Sequence, residues 1–129
     1  MLYDARPWGE YVIVYQGRDC QIKRLTIRSG QATSLQNHSK RNEHWVVVSG
    51  RGKVEVGFDL EVGQPLGERN VEPEDYIYVP RGAKHRIWNL GEFPLEIIEV
   101  QMGESFDEND IVRYEDMYGR ETSSEGDKQ

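Results

Sequence analysis

The densest set of chemically capable side chains lies in the stretch LQNHSKRNEHW, at residues 35–45. Gln36 and His38 are two residues apart, so in a strand both side chains project from the same face. Glu43 begins the next run of strand-forming residues and can return to that face across the intervening turn. His44 alternates away from Glu43, which predicts a hydrogen bond at an outer face rather than a role as a ligand.

A second polar set follows in the segment VPRGAKHRIWN, whose spacing is P-x-G-x-x-H-x-x-x-N. Two imidazoles, a carboxylate and an amide oxygen that meet in an apolar interior are difficult to satisfy without an ion. The residues therefore favour one bound divalent metal ion over a cluster held by hydrogen bonds alone. The predicted ligands are Gln36, His38, Glu43 and His85.

The identity of this metal is open at the level of the residues. Two histidines and one carboxylate with open positions suit non-haem iron, but they also suit zinc, manganese, cobalt or nickel. The amide oxygen of Gln36 is a hard, neutral donor, so it shifts the preference toward harder ions.

Short strands are predicted along most of the chain, and these must position the polar residues. Each strand is rich in β-branched or aromatic residues and is bounded by turn signals such as SGRG, VPRG and NLGEFP. Their regular spacing predicts an all-β fold, a small antiparallel barrel or sandwich. The predicted strands cover residues 11–15, 21–27, 44–49, 53–58, 75–79, 85–89 and 95–101.

Three further segments depart from this strand pattern. Residues 57–75 are polar and glycine-rich, which predicts a long hairpin excursion on the surface. Residues 107–120 place an isoleucine and two tyrosines at helical spacing with acidic residues early, which predicts a short C-terminal helical segment. Residues 121–129 have nothing to bury and are predicted to form a disordered tail.

One strand bears on assembly. Val46 and Val48 share one face, while Glu43, Trp45 and Val47 share the other, so apolar residues lie on both faces. In a small barrel one face fills the interior and the other must be covered. A second sheet layer of the same chain is the simpler cover, but we predict a homodimer.

Composition sets the broad class. With 129 residues the chain predicts one domain, and 16 basic against 23 acidic residues give a net charge of −7, which argues against a nucleic-acid partner. The single Cys20 suits a reducing compartment. The sequence has no apolar signal core and no run long enough to span a membrane, so we expect a soluble, cytoplasmic protein.

Together the two polar segments resemble the two motifs of the cupin superfamily, a small antiparallel β-barrel or jelly roll with a metal at its centre. The usual first motif has H-x-H followed by a glutamate, and the second supplies another histidine. This chain departs from the pattern by carrying Gln36 where the first histidine would stand. It also has Glu74 where the second motif normally begins with glycine.

Over the full length the resemblance narrows to the type II mannose-6-phosphate isomerases. RPWGEY, SLQNHSKRNEHW, VVVSGRG and the closing IVRYEDMYGR carry it over roughly residues 6–120, and the part around GQPLGERN fits least. In that family this cupin is commonly the C-terminal domain of an enzyme that is also a mannose-1-phosphate guanylyltransferase. The resemblance implies a single cupin domain over residues 1–120. It implies no guanylyltransferase activity here, because the sequence has no nucleotidyltransferase domain.

The resemblance also implies interconversion of mannose 6-phosphate and fructose 6-phosphate, which moves a proton between C1 and C2 of the sugar. Such a reaction needs a base, a cation that holds the developing oxyanion and an anchor for phosphate. Glu99 is the candidate base, with a solvated carboxylate on the barrel's outside as the alternative. The candidate phosphate anchors are Lys23, which shares a strand face with apolar residues, Arg24, and Arg41 on the turn before Glu43.

Three functions therefore compete. The leading prediction is a metal-dependent enzyme, a stand-alone isomerase of this type. The second is a metal-dependent enzyme of another class, such as a dioxygenase or an epimerase, because one fold can host many chemistries. The third is a non-catalytic module that binds a sugar phosphate and acts with a separate nucleotidyltransferase.

Overall fold

The computed structural model describes residues 2–58 and 66–122, which form two antiparallel sheets. The first sheet has the strand order β1-β2-β3-β10-β5-β8 and the second has the order β11-β4-β9-β6-β7. The strands are β1 (Leu2–Arg6), β2 (Gly9–Gln16), β3 (Cys20–Ile27), β4 (Leu35–Asn37), β5 (Arg41–Ser49), β6 (Gly52–Gly57), β7 (Gly67–Val71), β8 (Tyr76–Val79), β9 (Lys84–Asn89), β10 (Leu95–Gly103) and β11 (Val112–Glu115).

This architecture confirms the predicted all-β fold. The seven predicted strands correspond to β2, β3, β5, β6, β8, β9 and β10. The predicted surface excursion at residues 57–75 contains β7, which pairs with β6 as a hairpin and is exposed over its first four residues; residues 59–65 of that segment lie outside the described part. Within the described residues no helix is long and apolar enough to cross a membrane.

The predicted C-terminal helical segment is wrong. Residues 112–115 form β11, in which Val112 pairs with Asn37 and Arg113 with Gln36 of β4. Pairing with the open edge of the sheet gives the backbone of this short segment hydrogen-bond partners. One or two isolated helical turns are less favourable, because a helix has a costly nucleus. Of the predicted tail, Thr122 exchanges hydrogen bonds with Arg113, and residues 123–129 lie outside the described part.

The buried face of the first sheet changes from apolar to polar along its strands. Across β3 and β10 the pairs run from Leu95 with Ile27, through Glu99 with Lys23, to Gln101 with Gln21. The apolar end packs against the second sheet and forms the core. That core includes Leu25, Ile27, Val47, Leu95 and Ile97 of the first sheet, with Val54, Val71 and Ile87 of the second. The polar end faces a cavity.

The outer face of β5 stays open within the described residues. Val46 and Val48 remain 43% and 42% exposed, and Tyr76 and Tyr78 of the neighbouring β8 are also exposed. The simpler alternative was a second sheet layer of the same chain over this face, and the described residues form no such layer. A homodimer stays a prediction.

Glu74 explains why glycine is usual at its position in the second cupin motif. Its φ of 78° lies in the left-handed region, and its amide donates to the carbonyl of Val47 in the turn before β8. A side chain with a Cβ atom is strained in this conformation, whereas glycine is not.

We therefore expect Glu74→Gly to raise the free energy of unfolding by about 0.5–1 kcal/mol, the relief of strain less the entropy that glycine loses on folding. Urea titration of both proteins measures this. Glu74→Ala is the matched control, since it removes the carboxylate and keeps Cβ, and it should give no comparable gain. An equal gain for both variants would assign the effect to charge instead.

Candidate metal centre and its cavity

Three strands of both sheets bring two histidines and a glutamate together. His38 follows β4 directly, Glu43 lies in β5 and His85 lies in β9. One potential ligand atom from each lies within 4.8 Å of the others. All three side chains are buried, at 5%, 2% and 1% exposure. Residues that are distant in sequence thus converge on one point, as the strand alternation predicts.

Hydrogen bonds orient both imidazole rings. Nδ1 of His38 lies 2.7 Å from the carbonyl oxygen of Asp110, and Nδ1 of His85 lies 3.1 Å from that of Ala83. A carbonyl only accepts, so each Nδ1 carries the proton and each Nε2 presents a lone pair. Nε2 of His85 is buried and has no hydrogen-bond partner among the described residues. An unpartnered imidazole lone pair beside a carboxylate fits a metal ion.

The protonation states also suit ligands at neutral pH. Burial lowers the pKa of His38 to about 4 and lowers the pKa of His85 as well. Burial alone would raise the pKa of Glu43, but His85, His38 and Arg41 favour its ionised form and hold the pKa at about 2. The cluster therefore presents two neutral imidazoles and one carboxylate, the forms that bind divalent ions.

Arg41 is buried next to this cluster. Its Nε donates to Oε2 of Glu43 at 2.8 Å, and its Nη2 lies 3.2 Å from Nε2 of His38. Its Nη1 has no hydrogen-bond partner among the described residues and lies 3.8 Å from Oε2 of Glu108. The predicted phosphate anchor is thus a cation that both orients Glu43 and reaches the cavity.

The cavity is lined by residues of both sheets and opens to solvent. Gln36 lies on its wall, opposite His85 in the register of β4 and β9, and its Oε1 accepts a hydrogen bond from Ser34. Lys23 and Glu99, register partners on β3 and β10, also line the cavity, and each is only 4% exposed. The carboxylate of Glu99 accepts a hydrogen bond from Gln101. Glu99 therefore lies in the interior of the barrel and is not a solvated carboxylate on its outside.

Two predicted positions lie outside the cavity. Arg24 projects from the opposite face of β3 to Lys23, where it pairs with Glu96 at the surface and contributes nothing to the cavity wall. His44 lies on the outer face, with its Nδ1 2.6 Å from the hydroxyl of Tyr76, as its alternation predicts.

The sequence analysis missed part of the cavity wall. Arg6, Glu108, Arg113 and Arg120 line it, and they come from the two ends of the described chain. The segments RPWGEY and IVRYEDMYGR contain three of these residues. Because the sequence analysis predicted a helix here, it could not place Arg113. Only the pairing of β11 with β4 sets Arg113 beside Gln36.

Two facing antiparallel sheets with a buried His–His–Glu cluster at one end define this protein as a cupin. Solved structures agree on the fold. The capsular polysaccharide assembling protein CapF of Staphylococcus aureus superposes with a TM-score of 0.75 at 24% identity, over 88% of this chain and 34% of that one. Oxalate oxidase in complex with glycolate superposes with a TM-score of 0.65 at 21% identity, over 74% of this chain and 46% of that one.

The chain belongs to the family of mannose-6-phosphate isomerase C-terminal domains, which it matches over residues 3–116. Mannose-1-phosphate guanylyltransferase ManC of Salmonella typhimurium is 43% identical over 115 residues, 89% of this chain and 22% of that protein. Xanthan biosynthesis protein XanB of Xanthomonas campestris is 44% identical over 115 residues, 89% of this chain and 23% of that protein. The chain thus spans less than a quarter of these curated relatives.

These relatives correct the leading functional prediction. A stand-alone isomerase that interconverts mannose 6-phosphate and fructose 6-phosphate is wrong as the reading of this chain. ManC is named for guanylyl transfer, and the chain corresponds only to the isomerase-like C-terminal part of such proteins. The alternative agrees better with these findings, namely a sugar-phosphate-binding cupin that acts with a nucleotidyltransferase.

The metal centre leads to a direct prediction. Purified protein should contain close to one divalent ion per chain by elemental analysis, and the double variant His38→Ala/His85→Ala should lose it, because the remaining carboxylate binds divalent ions weakly by itself. His44→Ala removes the third histidine from the outer face and should retain the ion. Stoichiometric metal in the double variant would contradict the assignment.

Glu99 predicts a pH dependence of stability. Burial raises the pKa of its carboxyl to about 7, and the Glu43 carboxylate adds to the rise. Between its ordinary pKa and 7, the unfolded chain releases this proton while the folded chain keeps it, so stability falls as pH rises through this window.

Glu99→Gln removes this titration. In chelator-treated protein, the stability of Glu99→Gln relative to wild type should therefore increase by about 2–3 kcal/mol between pH 4.5 and pH 8. Urea titrations at several pH values measure the difference. A difference that stays constant across this range would show that Glu99 is ionised in the folded protein throughout.

Proposed function

We propose that this chain is a sugar-phosphate-binding cupin that acts with a mannose-1-phosphate guanylyltransferase. One observation carries the proposal: a cationic cavity next to the His–His–Glu cluster, in a chain whose net charge is −7. The cations that line the cavity are Arg6, Lys23, Arg41, Arg113 and Arg120, and the carboxylates are Glu43, Glu99 and Glu108.

This excess of positive charge supports an anionic ligand. Most of the chain's surface repels anions, so a cation-rich cavity concentrates them at one place. Guanidinium groups bind phosphate oxygens in pairs of parallel hydrogen bonds, and a lysine binds them as a point charge. A sugar phosphate has a phosphate group at one end and neutral hydroxyls at the other.

The His–His–Glu cluster suits the hydroxyl end of such a ligand. His38, Glu43 and His85 would hold a divalent ion, and a bound ion supplies a Lewis acid that polarises an oxygen of the ligand. Arg41 donates to Glu43 and so keeps this carboxylate in place beside the cavity. Glu99, which lines the cavity, adds a carboxyl group that can exchange hydrogen bonds with hydroxyls.

The names of the relatives support the choice of sugar and partner. ManC and XanB are several times longer than this chain, and ManC is named for transfer of a guanylyl group to mannose 1-phosphate. We take mannose phosphates as the ligand class and a guanylyltransferase as the partner. Titration of this chain with the catalytic domain of such an enzyme, followed by light scattering, tests the partnership. A mixture that shows only the two separate masses would contradict it.

Two substitutions in β3 test sugar-phosphate binding. Isothermal titration of metal-loaded protein with mannose 6-phosphate and mannose 1-phosphate should show binding of at least one of them, and unphosphorylated mannose should bind much more weakly. Lys23→Met should weaken binding by about 10- to 100-fold, the loss of a charged contact. Arg24→Met, the adjacent residue on the outer face, is the matched control and should leave binding unchanged.

Two results would overturn the proposal. One is the absence of heat and of thermal stabilisation with either sugar phosphate in metal-loaded protein. The other is equal binding of mannose and its phosphates, because a site without phosphate recognition is not a sugar-phosphate site.

A further inference from the structure

Glu108 is placed where an anionic ligand would be expected. It lies between β10 and β11, and its Oε2 is 2.5 Å from Nζ of Lys23 and 3.8 Å from Nη1 of Arg41. The Glu108 side chain is 40% exposed, whereas those of Lys23 and Arg41 are 5% and 3% exposed. A carboxylate with access to water thus neutralises cations that have almost none.

The other cations of the cavity mostly have carboxylate partners of their own. Arg41 donates to Glu43 at 2.8 Å. Arg120 donates to Asp116 at 2.7 Å, and Arg6 donates to Asp4 at 3.0 Å. Arg6 and Arg120 thus have partners other than Glu108, whereas Arg41 lies close to both Glu43 and Glu108.

Lys23 and Arg113 are the cations that these pairs leave over. Nε of Arg113 is buried and has no hydrogen-bond partner among the described residues. Burial and the neighbouring charge of Arg120 lower the pKa of Arg113, while Asp116 and Glu108 favour its charged form. The carboxylate of Glu108 is therefore shared between Lys23, Arg41 and Arg113, and none of its contacts satisfies Nε of Arg113.

A phosphate dianion matches this arrangement better than Glu108 does. It carries up to two charges and three acceptor oxygens, so it can neutralise Lys23 and satisfy the unpartnered Nε of Arg113 together. Glu108 can turn toward solvent at little cost because it is already partly exposed. The buried Lys23 cannot do so, and it must keep a counter-ion.

We infer that Lys23 and Arg113 form the subsite for the ligand's phosphate group, and that Glu108 occupies this subsite as an internal counter-ion which phosphate displaces. The inference rests on the proposed function for the identity of the sugar, but the subsite itself requires only a phosphate group. Glu108 then lowers the affinity of the protein for phosphate, and it neutralises the charge of Lys23 when no ligand is bound.

The test measures dissociation constants for inorganic phosphate and for mannose 6-phosphate by isothermal titration of the full chain loaded with metal. Arg113→Gln should weaken both by at least 10-fold. Glu108→Gln should tighten inorganic phosphate by about 3- to 10-fold and lower the thermal stability in phosphate-free buffer, a loss that added phosphate restores. Arg51→Gln, whose guanidinium pairs with Glu72 on the exposed surface, is the control and should change neither constant.

The outcomes separate the inference from the proposed function. If inorganic phosphate binds through Arg113 and sugar phosphates do not bind, the subsite stands and the sugar assignment fails. If sugar phosphates bind equally well to wild type and Arg113→Gln, the proposed function stands and the subsite is wrong. Weaker or unchanged phosphate binding by Glu108→Gln overturns the counter-ion role. Should Glu108→Gln not fold, Glu108→Asp weakens the contact with Lys23 and should give a smaller gain in the same direction.

Discussion

The buried carboxylate of Glu43 is the group on which the arrangement of the interior depends. It accepts hydrogen bonds from Nε1 of Trp45 and from Nε of Arg41, and Nε2 of His38 lies 3.5 Å away. Removing a carboxylate from water is costly unless charges and donors compensate it. Its neighbours must therefore be a guanidinium, an indole N–H and two imidazoles, and the strands that carry them must meet at this one point.

The polarity of the cavity follows from the register of the first sheet. Because β3, β10 and β5 are antiparallel neighbours, a polar residue at one end of one strand lies beside polar residues of the next. Lys23, Glu99 and Trp45 thus form one row, and Gln21, Gln101 and Glu43 form another. The opposite ends of the same strands are apolar and hold the sheets together. Apolar packing and ligand chemistry are separated along the strands, so a change at Lys23 or Glu99 acts on the cavity more than on the packing of the core.

Sequence periodicity was sufficient for the parts of this fold that repeat. Alternation along the apolar strands predicted seven of them, and it also placed His38, Glu43 and Lys23 inside and His44 outside. It failed where a segment's structure depends on a distant partner. The order of hydrophobic residues near Tyr114 is compatible with a helix, and only the free edge of β4 selects a strand there. For the same reason Arg6, Glu108 and Arg113 could not be assigned to the cavity, because no local pattern records which ends of the chain meet. Arg24 is a different case, because it was proposed on its charge although alternation already places it on the face of β3 opposite Lys23.

The short strands of the second sheet have a consequence for local opening. β4 has only three residues and pairs with β9 at the single position Gln36–His85, while β11 pairs with β4 across an irregular register. Few strand-to-strand hydrogen bonds hold this corner, so we expect it to open before the global transition. The same corner carries Arg113, Gln36 and His38. Occupation of the cavity should therefore stabilise this corner of the second sheet against local opening. Amide hydrogen exchange in β11 becomes a local measure of occupancy, whereas exchange in β10, between two long strands, reports the whole fold.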